Sequence, residues 1–175
     1  MSCPCSSGAC SFGDQVLNKR IIVEKIIATL TAELEGYTRS ARDAHAGATD
    51  EQNKAENKYD TRGLEASYLA RGQSAQATEV MHAINRYESL ALRPFAAEEP
   101  IDIGAIFELE RAGERTTFFI GPLAGGAEVD CEGKSVVVIT PQSPLGRQII
   151  GHKQGDRFQI KIGSSSAKCH VIAVA

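Results

Sequence analysis

The chain has 175 residues, of which 42% are hydrophobic and 23% are charged, and its formal net charge is −3. This composition is typical of one large or two small globular domains. Acidic and basic residues are mixed, with 10 Lys and Arg against 12 Asp and Glu up to Leu90, so we do not expect duplex DNA as a direct ligand. No apolar run reaches the length of a membrane span.

The amino terminus is polar, so we do not expect it to act as a secretory signal, and the expected location is the cytoplasm. Cys3, Cys5 and Cys10 lie close together within it. Grouped thiolates are candidate ligands of zinc or of an iron–sulfur cluster. The same composition also fits a disordered tail rich in Ser, Gly and Cys over residues 1–13.

Residues 14–92 are predicted to form two long antiparallel helices, a coiled-coil hairpin. Apolar residues recur at alternating spacings of three and four, the pattern that keeps two supercoiled helices in register. The first seam is Val16, Val23, Ile27, Leu30, Leu34, Tyr37, Ala41 and Ala44, and the second is Tyr59, Gly63, Ala66, Ala70, Gln73, Ala77, Val80, Ile84 and Tyr87. About 32 residues in each helix give a rod of roughly 45–50 Å.

Capping residues predict where the two helices begin and end. Asp14 is expected to cap the first helix and Gly47 to end it, with a polar turn near residues 46–52. Thr49 or Asp50 is expected to cap the second helix, and Arg93-Pro94 is expected to end it.

The two ends of the rod differ in the width of the apolar face. Ile21, Ile22 and Ile26 widen that face near the start of the first helix. We therefore expect this end to dock on another domain. Small seam residues toward the other end predict a slender distal part.

The turn between the helices concentrates acidic side chains, among them Asp50, Glu51 and Glu56. Carboxylates at a protruding end can hold a hard divalent cation such as Mg²⁺. They equally fit a solvated polar turn with pairs four residues apart, such as Asp50 with Lys54.

Residues 93–100 are predicted to be a linker, and residues 101–175 a second domain. From Ile101 the apolar period changes to two, which predicts four or five antiparallel strands. Ser143 as cap, Pro144 at the first helical position and Gly151 as the stop predict one short helix. A helical hairpin followed by a small sheet domain makes the fold class α+β.

The stretch ITPQSPLGRQIIGHKQGD, residues 139–156, resembles the carboxy-terminal domain of the bacterial Gre transcript-cleavage factors. There S-P-L-G-R or S-P-I-G-R precedes two or three apolar residues and, further on, a G-D turn. Gly121-Pro122 after an apolar strand is also similar to that family. The resemblance covers residues 101–175 and implies an FKBP-like fold for them, while the polar turn and the tail resemble divergent Rnk-like or Gfh-like members.

The resemblance implies a transcription elongation regulator that binds RNA polymerase and inserts its hairpin into the secondary channel. Such a factor is not an enzyme; at most it stimulates the polymerase's own RNA hydrolysis. Nascent RNA would be met only in that complex, and neither a membrane nor sequence-specific DNA is an expected partner. Gln142, Ser143, Pro144 and Leu145 are the implied partner-binding residues, although Gln142 stands where the family has an acid.

The family carries two acids in a D-x-x-E-N pattern, which help to hold the second Mg²⁺ of the polymerase. Glu56 and Asn57 fit this pattern, but Asn53 stands in place of the first acid. Asp50 or Glu51 is the candidate replacement, with Mg²⁺ held by Glu56 and Asp50 only in the polymerase complex and no intrinsic cofactor. Two alternatives stay open: a channel modulator without cleavage, and a coiled-coil adaptor unrelated to polymerase.

Overall fold

The computed structural model describes residues 17–49, 62–162 and 165–175 of the chain. Two long helices are followed by a six-stranded sheet with one short helix, which confirms the predicted α+β class. The elements are α1 (Lys19–Thr49), α2 (Arg62–Glu88), β1 (Ile106–Arg111), β2 (Glu114–Ile120), β3 (Glu128–Cys131), β4 (Lys134–Ile139), α3 (Gly146–Ile149), β5 (Arg157–Ile162) and β6 (Ser165–Val174). No helix in these ranges is long and apolar enough to span a membrane.

The two long helices pack along the predicted seam. In α1, Val23 and Leu30 are buried, while Ile27, Leu34 and Tyr37 are half-buried. The seam residues of α2 with described side chains are likewise half-buried or buried, from Ala70 through Gln73, Ala77, Val80 and Ile84 to Tyr87. At about 1.5 Å per residue, α1 is about 46 Å long, which agrees with the predicted rod.

The start of α1 differs from the prediction. The Asn18 side chain accepts a hydrogen bond from the Arg20 amide at 3.0 Å and caps the helix. Asn caps as well as Asp, and Asn18 directly precedes the first helical residue. The predicted cap, Asp14, lies outside the described residues.

The ends of both helices also differ from the predictions. α1 continues through Gly47 to Thr49, so Gly47 does not end it and Thr49 does not cap α2. A helical glycine costs only about 1 kcal/mol, and here the helix continues past it. α2 ends at Glu88, well before Pro94, because the Leu90 amide bonds the Tyr87 carbonyl at 3.1 Å in a tight turn.

The six strands lie in the order β3-β4-β2-β1-β6-β5. All neighbours are antiparallel except β2 and β4, which are parallel because β3 intervenes in the chain. The predicted count of four or five strands was too low, since β3 has only four residues. It joins β4 through Glu132 and Gly133, whose φ angles of 56° and 79° define the tight turn preferred in hairpins.

The sheet has an apolar core on each face. On one face, Ile22 and Ile26 of α1 pack with Phe119, Val136 and Val138, together with residues of β1 and β3. On the other face, α3 and the segment before β1 cover a second core. The predicted docking of the widened helix end is therefore confirmed, and we call this docked end the hairpin root.

Tyr87 fixes α2 to the sheet at the hairpin root. Its side chain is 1% exposed, and its hydroxyl donates to the Leu123 carbonyl oxygen at 2.7 Å. A Cβ atom on Gly121 would lie 2.1 Å from that hydroxyl oxygen, so the ring needs a glycine beneath it. Burial raises the pKa of the Tyr87 hydroxyl, which keeps it a donor at neutral pH.

Candidate functional site

The predicted partner-binding residues 142–145 form the turn that leads into α3. The Ser143 hydroxyl donates to the Thr140 carbonyl oxygen at 2.8 Å and accepts from the Gly146 amide at 2.9 Å. Ser143 thus makes the hydrogen bond expected of a cap, but Leu145 occupies the N-cap position of α3, without a side-chain cap bond. The regular helix, however, begins at Gly146 rather than at Pro144, and it has only four residues.

The SPLGR stretch is fixed by its own contacts. A Cβ atom on Gly146 would lie 1.9 Å from the Thr140 carbonyl oxygen, so only glycine fits there. The Arg147 Nε donates to the Gln142 carbonyl oxygen at 2.9 Å, and its amide bonds the Ser143 carbonyl at 3.0 Å. Ser143, Gly146 and Arg147 therefore have structural roles.

Two side chains of this turn are available to a partner. Gln142 and Pro144 are exposed, whereas Leu145 is half-buried against the second core. Pro144 has few conformations to lose on binding. The turn thus presents a small outward surface on a fixed backbone.

Gln148 holds this turn against the edge of the sheet, a role that the sequence analysis missed. Its Nε2 donates to the Pro144 carbonyl at 2.7 Å and to the Lys161 carbonyl at 3.0 Å. Its Oε1 accepts from the Lys161 amide at 2.9 Å. A polar residue that faces an edge strand from a capped turn is the signal that could have suggested it.

A cation–π cluster joins the start of α1 to the segment after α2. Two cations lie over the Phe95 ring: the Lys19 ammonium is 4.5 Å from the ring centroid, and the central carbon of the Arg93 guanidinium is 3.9 Å from it. Lys19 donates to the Arg93 carbonyl at 2.6 Å. Burial, together with the charge of Arg93, lowers the pKa of Lys19 to about 8.

The negative charge of Glu99 partly offsets the positive charges of Lys19 and Arg93 in this cluster. Its carboxylate accepts from the Ala96 amide at 3.1 Å and from Arg93 at 2.8 Å. These bonds, the backbone one first, lower the pKa of Glu99. Phe95 is buried in the second core, so it anchors the segment predicted as a linker, although most other residues of that segment are exposed.

The distal half of α2 exposes large apolar side chains that the seam does not use. Leu64, Tyr68 and Leu69 are 57%, 65% and 55% exposed. Leu64 and Tyr68 are four residues apart and therefore share one side of the helix. The sequence analysis followed only the seam, and the apolar residues left over from that pattern were the signal for this surface.

The acidic candidates Asp50, Glu51 and Glu56 lie outside the described residues, and the predictions about them stay predictions. The candidate thiolates, Cys3, Cys5 and Cys10, also lie outside those residues. Within residues 17–49, 62–162 and 165–175, no three His, Cys, Asp or Glu side chains are grouped as a metal site would require.

Comparison with known families identifies the sheet domain. Residues 96–175 match the family model described as "Transcription elongation factor, GreA/GreB, C-term". The sheet domain thus matches the GreA/GreB carboxy-terminal family model, the family that the SPLGR stretch resembles. A comparison with curated protein sequences finds no match.

Three solved structures align with most of the chain. The GreA factor homolog Gfh1 of Thermus thermophilus is 21% identical, covering 85% of this chain and 94% of its own, with a TM-score of 0.36. Another structure of the transcription factor Gfh1 is 24% identical, with coverages of 85% and 92% and a TM-score of 0.37. Gfh1 of Thermus aquaticus is 21% identical, with coverages of 84% and 92% and a TM-score of 0.35.

Proposed function

We propose that this protein regulates transcription elongation by binding bacterial RNA polymerase and inserting its helical hairpin into the secondary channel. The observation that carries the proposal is the GreA/GreB carboxy-terminal domain at residues 96–175, joined to a long hairpin. As an accessory factor it would act with the polymerase in the cytoplasm, and it would meet nascent RNA only in that complex.

The sheet domain would dock through the turn before α3. Gln142 and Pro144 are exposed there on a backbone fixed by Ser143 and Gln148. A rigid turn loses little conformational entropy on binding. The hairpin root keeps the docked domain and the helices in a fixed relation through Tyr87.

The hairpin has the length and the surface to reach into a partner. α1 alone is about 46 Å long, and Leu64 and Tyr68 expose apolar area on the distal half of α2. Because Leu64 and Tyr68 share one side of the helix, they place two apolar side chains where a partner could contact both. The walls of the channel would bury them.

At the polymerase active site, Glu56 with Asp50 or Glu51 would help to hold a shared Mg²⁺, which activates water for the polymerase's own hydrolysis of backtracked RNA. Asn53 in place of the first family acid favours a second mechanism, in which the hairpin modulates the active site without cleavage. Stalled, backtracked complexes separate these mechanisms. Transcript shortening that is lost in Glu56→Ala and Asp50→Ala proteins supports assisted cleavage, whereas no shortening at any Mg²⁺ concentration leaves modulation.

Binding to purified core RNA polymerase tests the proposal as a whole. We expect the full chain to bind and a Gln142→Ala/Pro144→Ala variant to bind more weakly, because both side chains point outward. Replacing the exposed Lys153 by Ala, on a different turn, serves as the control. If the unmodified chain does not bind polymerase and a pull-down recovers another protein as its main partner, the chain is a coiled-coil adaptor instead.

A further inference from the structure

The charges of the sheet domain are divided between its two halves. Residues 96–142 contain nine Asp and Glu against three Lys and Arg, whereas residues 143–175 contain five Lys and Arg against a single Asp. That Asp, Asp156, lies 3.1 Å from the Nδ1 atom of His152. The mixing of charges seen up to Leu90 therefore does not continue into this domain.

Side chains alternate between the two faces of the sheet along β5 and β6, and several of the basic residues lie on the same face. Phe158 and Ile160 of β5 and Cys169 and Val171 of β6 belong to or pack against the second core. Their neighbours therefore point to the opposite face. These are Arg157, Lys161, Lys168 and His170, which we call the basic face.

The basic face lies on the same side of the sheet as the hairpin root but is not covered by it. The core beneath the hairpin contains residues of β1 to β4 and none of β5 or β6. An open hollow of about 570 Å³ remains over these last strands, lined in part by Arg157, Lys168 and His170. Arg157, Lys161 and Lys168 are exposed.

One acidic residue borders the basic face. Glu110 lies opposite His170 in the strand register, and His170 lies opposite Arg157. Glu110 also accepts from Arg115 at 3.3 Å. A ligand seated here would therefore meet the positive side chains of Arg157, Lys161 and Lys168 and the His170 ring, with the Glu110 carboxylate at their edge.

We infer that the basic face is a docking surface for an acidic protein surface, and that this acidic surface belongs to the RNA polymerase that the proposed function requires. Charge complementarity of this kind speeds association and fixes orientation. A partner that surrounds the hairpin root would lie beside this face, because both are on one side of the sheet.

The chemistry of the face favours protein over nucleic acid. Single-stranded nucleic acid is held by aromatic rings next to basic side chains, but the aromatic residue of β5, Phe158, points to the other face and stacks on His152 at 4.0 Å. Glu110 would repel a phosphate at the border of the face. A mainly acidic protein surface needs no aromatic ring for stacking, and a basic residue within it can pair with Glu110.

The test measures the affinity of the full chain for purified core RNA polymerase at low and at high salt. The Arg157→Glu/Lys168→Glu variant reverses two exposed charges on the basic face. The Arg111→Glu/Lys153→Glu variant reverses two exposed charges outside it, since Arg111 follows Leu109 on the other face of β1. Thermal unfolding checks that both variants are folded.

We expect the first variant to bind about tenfold more weakly at low salt, with a smaller dependence on salt, and the control to bind like the unmodified chain. Equal binding by both variants overturns this inference and leaves the proposed function intact. An unmodified chain that does not bind polymerase overturns both. Binding of a single-stranded RNA oligonucleotide alone, lost in the first variant only, assigns the face to phosphates and overturns the protein partner.

Discussion

The root and the distal half of the hairpin share one seven-residue repeat but differ in what surrounds them. At the root, Ile22, Ile26 and Tyr87 are almost completely buried because the sheet covers them as a third layer. In the distal half, Ala41 is only half-buried by the opposite helix, and Tyr68 is 65% exposed. The seven-residue repeat determines which residues of the two helices face each other. Contact with the sheet determines how deeply the apolar residues of each helical turn are buried.

The largest expected difference between the two regions comes from truncating one apolar side chain in each. Ile26→Ala removes a side chain with no exposed area and is expected to lower the free energy of unfolding by about 2–5 kcal/mol. Leu64→Ala, at a 57% exposed position, is expected to change it by less than about 0.5 kcal/mol. Urea denaturation of both variants measures the difference, and equal losses would mean that the sheet does not stabilise the root.

A Gly→Ala pair sharpens the comparison with a single methyl group. At Gly121 the added Cβ would lie 2.1 Å from the Tyr87 hydroxyl oxygen, so we expect a loss of about 1–3 kcal/mol from overpacking. At Gly72 no atom lies within 4 Å, so Ala should stabilise α2 by about 0.5–1 kcal/mol.

The same denaturation measurement checks both glycines. Tyr87→Phe in the Gly121→Ala background should recover part of the loss, because it removes the hydroxyl that the new methyl group would meet. If Tyr87→Phe recovers none of the lost stability, the destabilising clash is with another atom. Val138 Cγ1 is the candidate, because the added Cβ would lie 2.9 Å from it.

The smallest expected effect concerns the pH dependence at the root. The pKa of Lys19 is lowered to about 8 in the folded protein, against 10.5 without the fold. Between these values the unfolded chain binds more protons, so Lys19 makes stability rise with pH across this window. The cost of its charge is present below about pH 8 and is relieved above it.

The Lys19→Gln variant, which lacks this titration, should show a flatter stability profile than the unmodified chain over that window. Thermal unfolding at several pH values compares the two. Because Lys19 is only half-buried, solvent screening keeps the difference small. A rise of the same steepness in both proteins would assign the pH dependence to another group.

The sequence was sufficient to predict the hairpin, because its seam persists over many turns. It also predicted the docking of the root, because Ile22 and Ile26 added apolar area beyond the seam. The predicted helix ends were wrong. At the start of α1, Asp14 and Asn18 both have side chains suited to capping, so the sequence offered two starting points four residues apart. β3 was missed because four residues are too few for a period of two to be recognised.

The candidate site was predicted in part. The SPLGR stretch led to the family whose model matches residues 96–175. The hydrogen bond from the Gly146 amide to the Ser143 hydroxyl could be foreseen because the two residues are only three apart in the sequence. Gln148 was missed because its partner, Lys161, lies thirteen residues away on another element. The basic face was missed for a similar reason: it appears only when β5 and β6 are aligned.

The contacts of Gln148 have a consequence for solubility. β5 is an edge strand of the sheet. Edge strands expose unpaired backbone N–H and C=O groups, with which a strand of another molecule can pair. The Gln148 amide occupies both the N–H and the C=O of Lys161, much as a further strand would. One side chain thereby prevents another chain from pairing with the backbone of Lys161 at this edge.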